Sequence, residues 1–306
     1  MAIPIILDTD IGDDIDDALA LALICASPEL DLRAVTTVFA NVEARSRQAR
    51  TILSTIGGKF TSVPVAAGCG ASMASRPMHN NQHYLENILP NQDSTCLPEE
   101  QLPPQDKRHA VNLLIDEIMS GDGLVTPVMI GAMTNLATAM TMERRIIKKL
   151  PKIVAMAAEF KTHMGEWNIL CDPEAASLVF DSGVPIDVTT WDIGNCAQFG
   201  PEHVDRLRQS DRPTAQLLSR AIDAWRENWG SEKVHMPSLF DPLAVATMVR
   251  PELVEWRTGR VSVELSSKNT YGYTTFTEEH NGPHRVAWNV NREAALEFYL
   301  ERVLAL

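Results

Sequence analysis

Ile3-Pro4-Ile5-Ile6-Leu7-Asp8-Thr9-Asp10-Ile11-Gly12-Asp13-Asp14-Ile15-Asp16-Asp17-Ala18-Leu19 is the stretch whose reading decides the fold. Its first half is a short, nearly continuous apolar run, the pattern of a strand buried on both faces. From Asp16 to Cys25 the pattern is that of an apolar helix. Between them, six of the ten residues from Asp8 to Asp17 are acidic. In an open α/β sheet, ligands bind outside the carboxyl ends of the strands, so the acids stand where a site belongs. Packed carboxylates raise one another's pKa unless a cation compensates them. A hard divalent cation with oxygen ligands supplies that compensation.

Other readings of the acid loop compete. A solvated turn with Asp residues capping the helix accounts for Asp13 and Asp14, but six acids exceed what a cap requires. An EF-hand loop beginning at Asp10 would need Gly at position 15 and Glu at position 21, where the chain has Ile15 and Leu21. A phosphatase with an aspartate nucleophile begins with a similar strand and Asp-x-Asp. It wants Gly and then Thr or Val directly after the second Asp, not Ile11-Gly12-Asp13.

The same alternation continues outward. Strand-like runs at Ala34–Val38, Val63–Ala67, Thr126–Ile130, Lys152–Ala157 and Pro185–Thr190 are interleaved with helical patterns. These lie at Glu43–Ile56, Arg108–Met119, Asn135–Met142 and Pro173–Asp181. This predicts an α/β fold, a mostly parallel open sheet flanked by helices. The last third predicts additional helices at Thr214–Trp225 and Pro242–Val249. A short antiparallel portion follows at Val261–Leu265, Tyr273–Thr277 and Arg285–Val290, and a closing helix at Arg292–Leu304. With no Gly/Ser-rich linker and no repeat, one domain over 1–306 is expected. Residues 76–104 read as a long loop of the kind that is often functional.

Composition narrows the function. The 306 residues are 45% hydrophobic, enough for a sizeable core, and carry a net charge of −13. An acidic surface repels nucleic-acid phosphates and anionic membranes, so neither is an expected partner. The five cysteines are scattered and form no CxxC pair, which argues against a zinc site or a disulfide framework. The apolar N-terminal run lacks a basic flank and meets an acid at Asp8, so it reads as a strand rather than a signal peptide, and a cytoplasmic protein is expected.

The acid loop resembles the N-terminal signature of the nucleoside hydrolase family, Asp-x-Asp-x-Gly…Asp-Asp-Ala. Here two more residues separate Gly12 from Asp16-Asp17 than in the shortest form of that motif. Further matches follow in the family's order: Val38-Phe39-Ala40-Asn41, Pro64-Val65-Ala66-Ala67-Gly68-Cys69, Gly131-Ala132-Met133-Thr134-Asn135-Leu136-Ala137, Glu166-Trp167-Asn168-Ile169, Asp172-Pro173-Glu174-Ala175-Ala176 and Asp241-Pro242-Leu243-Ala244. Together they span roughly residues 3 to 250.

The resemblance implies hydrolysis of the N-glycosidic bond of ribonucleosides, through a ribosyl oxocarbenium-like transition state, by a homodimer or homotetramer. It implies Ca²⁺ held by Asp10, Asp17, Asp241 and the carbonyl of Thr134, with Asp10 also the general base. It gives Asp16, Asn41, Glu166 and Asn168 the ribose hydroxyls. Each has a plainer reading: Asn41, Thr134 and Asp241 as helix caps, Glu166 and Asn168 as solvated loop residues. The chain departs from the family in two places. Phe240 stands where many members carry the His that protonates the departing base, and it is expected to stack on the base or to pack in the core. The segment Ala157–Gly165 is short and lacks the family's Gly-Asn. His83, with His79 and His235, is a candidate substitute donor, and each also reads as an ordinary surface residue. Trp225 and Trp229 fit the core better than the pocket. Two other functions stay open: a non-catalytic ribose-binding homologue, and a magnesium phosphohydrolase using Asp8 or Asp10 as nucleophile.

Overall fold

The computed structural model describes residues 2–74, 91–120, 124–162, 165–228 and 235–306. Six strands follow the predicted runs: β1 Ile3–Thr9, β2 Leu30–Thr37, β3 Val65–Ala67, β4 Thr126–Met129, β5 Ile153–Met156 and β6 Ile186–Thr189. All pair in parallel in the order β3-β2-β1-β4-β5-β6. The order reverses at β1. The chain winds first to β2 and β3, then returns to β4 on the other side, so the β1/β4 boundary is the switch point where such sheets bind ligands.

The C-terminal strands extend this sheet. β7 (Val254–Val263) and β8 (Thr274–Glu278) form an antiparallel ribbon, while β9 (His284–Val290) is antiparallel to β7 but parallel to β6. The expected antiparallel portion is therefore joined to the main sheet through one strand that belongs to both. β7 also begins seven residues before the predicted Val261, because its first half (Val254-Glu255-Trp256-Arg257-Thr258) carries charges on a half-covered face and lacks an apolar run.

Helices cover both faces. On one lie α1 (Asp16–Ala26), α2 (Val42–Ile56), α9 (Pro213–Asn228), α10 (Phe240–Val249) and α11 (Arg292–Ala305). On the other lie α3 (Ala110–Ser120), α4 (Thr134–Met142) and α6 (Pro173–Phe180), with the short α5 (Trp167–Cys171) leading into α6. The remaining helices are α7 (Trp191–Gly194) and α8 (Pro201–Arg208); α5 and α7 have too few turns to show helical periodicity. α1 is buried all round, from Asp16 to Cys25, which explains its lack of a polar stripe. It packs against α10, and this contact brings two helix N-termini together. Among the described residues no helix is long and apolar enough to cross a membrane. Residues 91–104, the described part of the expected loop, include two 3₁₀ turns, Asn91–Thr95 and Glu99–Gln101.

Candidate active site

At the carboxyl edge of the sheet lies a cavity of about 500 Å³. Its floor and one wall are acidic: Asp10, Asp13, Asp14, Asp16 and Asp17 from the loop after β1, with Asp241 from the first turn of α10. Glu166 and Asn168 close the side above β4 and β5. Ile130, Met156, Trp167, Trp191 and Phe240 form the apolar remainder.

The acids are positioned by backbone. Ile130 N donates to the carbonyl of Asp8, which continues the β1–β4 ladder to the site. Gly131 follows; a Cβ there would lie 2.8 Å from Asp10 N and 3.0 Å from its carboxylate, so only glycine lets β4 approach this closely. Asp16 and Asp17 form the first turn of α1, and Asp241 that of α10. The positive ends of two helix dipoles thus meet the three carboxylates. One oxygen from each of Asp16, Asp17 and Asp241 can lie within 4.8 Å of the others. Burial, then repulsion from neighbouring acids of the same site, pushes all three far above the usual carboxylate range. Thr9 Oγ1 donates to Asp17. Three buried oxygen donors of this kind, each costly to ionise alone, fit a hard divalent cation.

Asp10 lines the same cavity without joining that trio. Burial raises its pKa to about 7 and the buried Arg45 guanidinium opposes the shift. Glu166 caps α5: its carboxylate accepts from Asn168 N (2.8 Å), Ile169 N (3.0 Å) and Ala158 N (3.2 Å). Burial nevertheless raises it to about 7. Asn168 Nδ2 donates to the carbonyls of Ile130 (3.0 Å) and Met156 (3.1 Å), tying α5 to the ends of β4 and β5. Both residues are buried, not the solvated loop residues that local sequence suggests. Ala158 adopts a left-handed backbone (φ 70°), which costs energy at a non-glycine residue. That turn gives its N–H to Glu166 and its carbonyl to Trp191 N.

Trp191 and Phe240 stack, with ring centroids 6.2 Å apart and planes 18° apart. Gly194 admits this pair; a Cβ there would meet the Phe240 ring at 2.3 Å. Phe240 is therefore part of an aromatic cavity wall as well as packed against the core.

Other predicted residues stand apart. Asn41 is exposed, outside the lining, and its side chain caps α2 by accepting from Ala44 N at 3.1 Å. Thr134 is buried at the start of α4 and outside the lining; its hydroxyl donates to Asp172 at 2.7 Å. His235 also lies outside the lining, and its carbonyl accepts from Arg226. Trp225 is in the core. His79, His83 and Trp229 fall outside the described residues. Asp16, expected at the ribose, belongs to the trio of carboxylates that can share an ion. Sequence reasoning missed Trp191, Met156 and Arg45. The first two could have been sought directly after predicted strands, where the switch-point rule puts ligands; Arg45 carries no local signal.

The family model for inosine-uridine preferring nucleoside hydrolases matches residues 5–297. The chain belongs to the nucleoside hydrolase family. It is 33% identical to a pyrimidine-specific ribonucleoside hydrolase of Photobacterium profundum, over 99% of both chains. It is 32% identical to an inosine-uridine preferring nucleoside hydrolase of Crithidia fasciculata, over 88% of this chain and 86% of that one. A solved plant nucleoside hydrolase superimposes with a TM-score of 0.86 at 26% identity, covering both chains completely. The protein is thus an N-ribosyl hydrolase, and the acid-lined cavity at the switch point is its candidate active site.

Proposed function

We propose that this nucleoside hydrolase works with Ca²⁺ held by Asp17 and Asp241, with Asp10 and the Thr134 carbonyl completing the donor set, and with Asp10 as general base. The observation that supports this reading is the buried meeting of Asp17 and Asp241 at two helix N-termini, with Asp16 close enough to reach the same ion and Asp10 lining the same cavity. When bound, the ion would orient the ribose diol and the attacking water. Asp10 takes the proton from that water. Asp16, Glu166 and Asn168 bind ribose hydroxyls. The remaining carboxylates favour the positive charge that grows on the ribosyl ring.

The base would lie against Trp191 and Phe240. Among the described residues no His, Lys, Arg, Tyr or Cys lines the cavity; departure in this reading draws on stacking, on the leaving group's own acidity, or on His83, which falls outside the described residues. Purine ribosides, with larger ring overlap, are the preferred substrates in this reading. The Photobacterium relative is named pyrimidine-specific, which makes uridine and cytidine the contrasting members of the test. That test is a ribonucleoside panel assayed for reducing sugar with and without chelator. Calcium-dependent release of ribose, faster from inosine or adenosine than from uridine, is expected. Undiminished release in chelator would overturn the metal reading, and uridine preference would overturn the stacking one.

A further inference from the structure

We propose that Arg45 and Gln92, neither of which lines the cavity, are positioning residues that hold the acid loop in its working shape. Residues 10–14 have left β1 and have not yet entered α1, so their carbonyls lack the partners that a sheet or helix provides. Buried carbonyls require donors from elsewhere. Two side chains supply them. Arg45, only 1% exposed, reaches from α2. Its Nη1 donates to the carbonyls of Asp10 and Ile11, the latter at 3.0 Å; its Nη2 donates to Asp13 Oδ2 at 2.7 Å; its Nε donates to the Phe39 carbonyl at 2.7 Å. Gln92, fully buried, comes from the far side. Its Nε2 donates to the carbonyls of Gly12 (3.1 Å) and Asp14 (2.9 Å), and its Oε1 is held by Gln48 Nε2 of α2 at 2.8 Å.

Four carbonyls of one loop, those of Asp10, Ile11, Gly12 and Asp14, are thus gathered by two side chains that share α2 as their anchor. The loop is two residues longer than the shortest form of its motif. A longer loop has more conformations to lose, and Asp13, in the stretch between Gly12 and Asp16 that is longer here, is the residue paired with Arg45. The clamp fixes the backbone from which Asp10 projects. A misplacement of about 1 Å at a reacting group can cost about 10²-fold in rate, so loosening the clamp acts on kcat through Asp10.

The inference rests on Asp10 being the base, and its test separates the two. Gln92→Ala and Arg45→Met are made alone and on an Asp10→Asn background, with kcat, KM, calcium affinity by calorimetry and thermal midpoint measured for each. Each clamp variant alone is expected to lower kcat by about 10-fold to 10²-fold with KM within about 3-fold, and to bind calcium more weakly, because Asp10 is also one of the proposed ligands. On the Asp10→Asn background the same change has little further effect, because the group it positions is already disabled. Where Arg45→Met does not fold, Gln92→Ala carries the test, since it leaves the Arg45–Asp13 pair in place. An unchanged kcat in the clamp variants beside a large Asp10→Asn loss would overturn the clamp alone. Equal loss in both backgrounds would show a general structural role and overturn it too. An Asp10→Asn protein close to wild type would overturn the base assignment, and this route of action with it.

Discussion

At the scale of single residues, the site works by contrast between neighbouring acids. Asp16, Asp17 and Asp241 face one another closely enough to share an ion, while Asp10 sits beside them with an arginine behind its backbone. Asp10→Asn keeps an oxygen for the proposed metal and removes the proposed proton acceptor. We expect kcat to fall by about 10² or more with substrate binding largely kept; stopped assays of ribose release check this, and a variant within a few-fold of wild type would show that another group activates the water. Phe240 is the second decisive residue. Its ring pairs with Trp191 and lines the cavity. Phe240→Ala should lower kcat/KM for purine ribosides more than for a nitrophenyl riboside, which departs without a proton. Ring stacking contributes about 0.5–1.5 kcal/mol beyond burial, so the difference should be several-fold. Equal losses for both substrates would mean that Phe240 only packs.

At the scale of elements, one buried histidine bridges the join of β9 to its surroundings. His284 Nδ1 accepts from Val261 N of β7 at 2.8 Å, and Nε2 faces the carbonyl of Phe180 at 3.1 Å. This arrangement is complete with a neutral ring, protonated on Nε2. Burial holds its pKa below the ordinary histidine value of 6.5. A lowered folded pKa means that the unfolded chain takes up the proton first. The stability this histidine contributes is therefore present above about pH 6.5 and lost as pH falls through the folded value. The thermal midpoint of the calcium-loaded protein should drop between pH 7 and pH 5. His284→Gln, which cannot titrate, should show a smaller drop over that range. Identical slopes for the two proteins would show that other groups govern acid unfolding.

For the whole molecule, the buried acids set an opposite trend when calcium is withheld. Burial raises Asp10 to about 7, Glu166 to about 7 and Asp8 to about 8. A carboxylate with a raised folded pKa stabilises the fold below its unfolded value, near 4, and that contribution is lost as pH rises through the folded pKa. Chelated protein should therefore lose thermal stability between pH 5 and pH 8. Added calcium should raise the midpoint most at the upper end, because an ion that binds only the folded state stabilises it by mass action. Calorimetric scans across this range with and without chelator measure the effect. An equal calcium increment at pH 5 and pH 8 would show that the ion is not what compensates these acids.

Much of this was legible from the chain because the physics involved is local. A continuous apolar run such as Ile3–Leu7 has only one comfortable environment, between two helical layers, and strand–helix alternation then dictates a parallel sheet. Acids crowded after that first strand must meet a cation, a hydrogen-bond donor or one another, so Asp10, Asp16 and Asp17 were visible as a site, and the ordered motifs added Asp241, Glu166 and Asn168. What only the tertiary structure decided depends on distant segments meeting. β9 pairs with both β6 and β7, a choice that no local pattern in His284–Val290 encodes. Asn41 spends its side chain on its own helix and lies outside the cavity. Trp191 comes from the end of β6 and Phe240 from the start of α10, and they form one wall because Gly194 leaves room. Arg45 and Gln92 look like ordinary surface residues in sequence. They are buried because a loop more than thirty positions from the first and nearly eighty from the second leaves carbonyls without sheet or helix partners. Burial of a polar group is a property of the assembled surroundings, and those exist only once the sheet has brought the segments together.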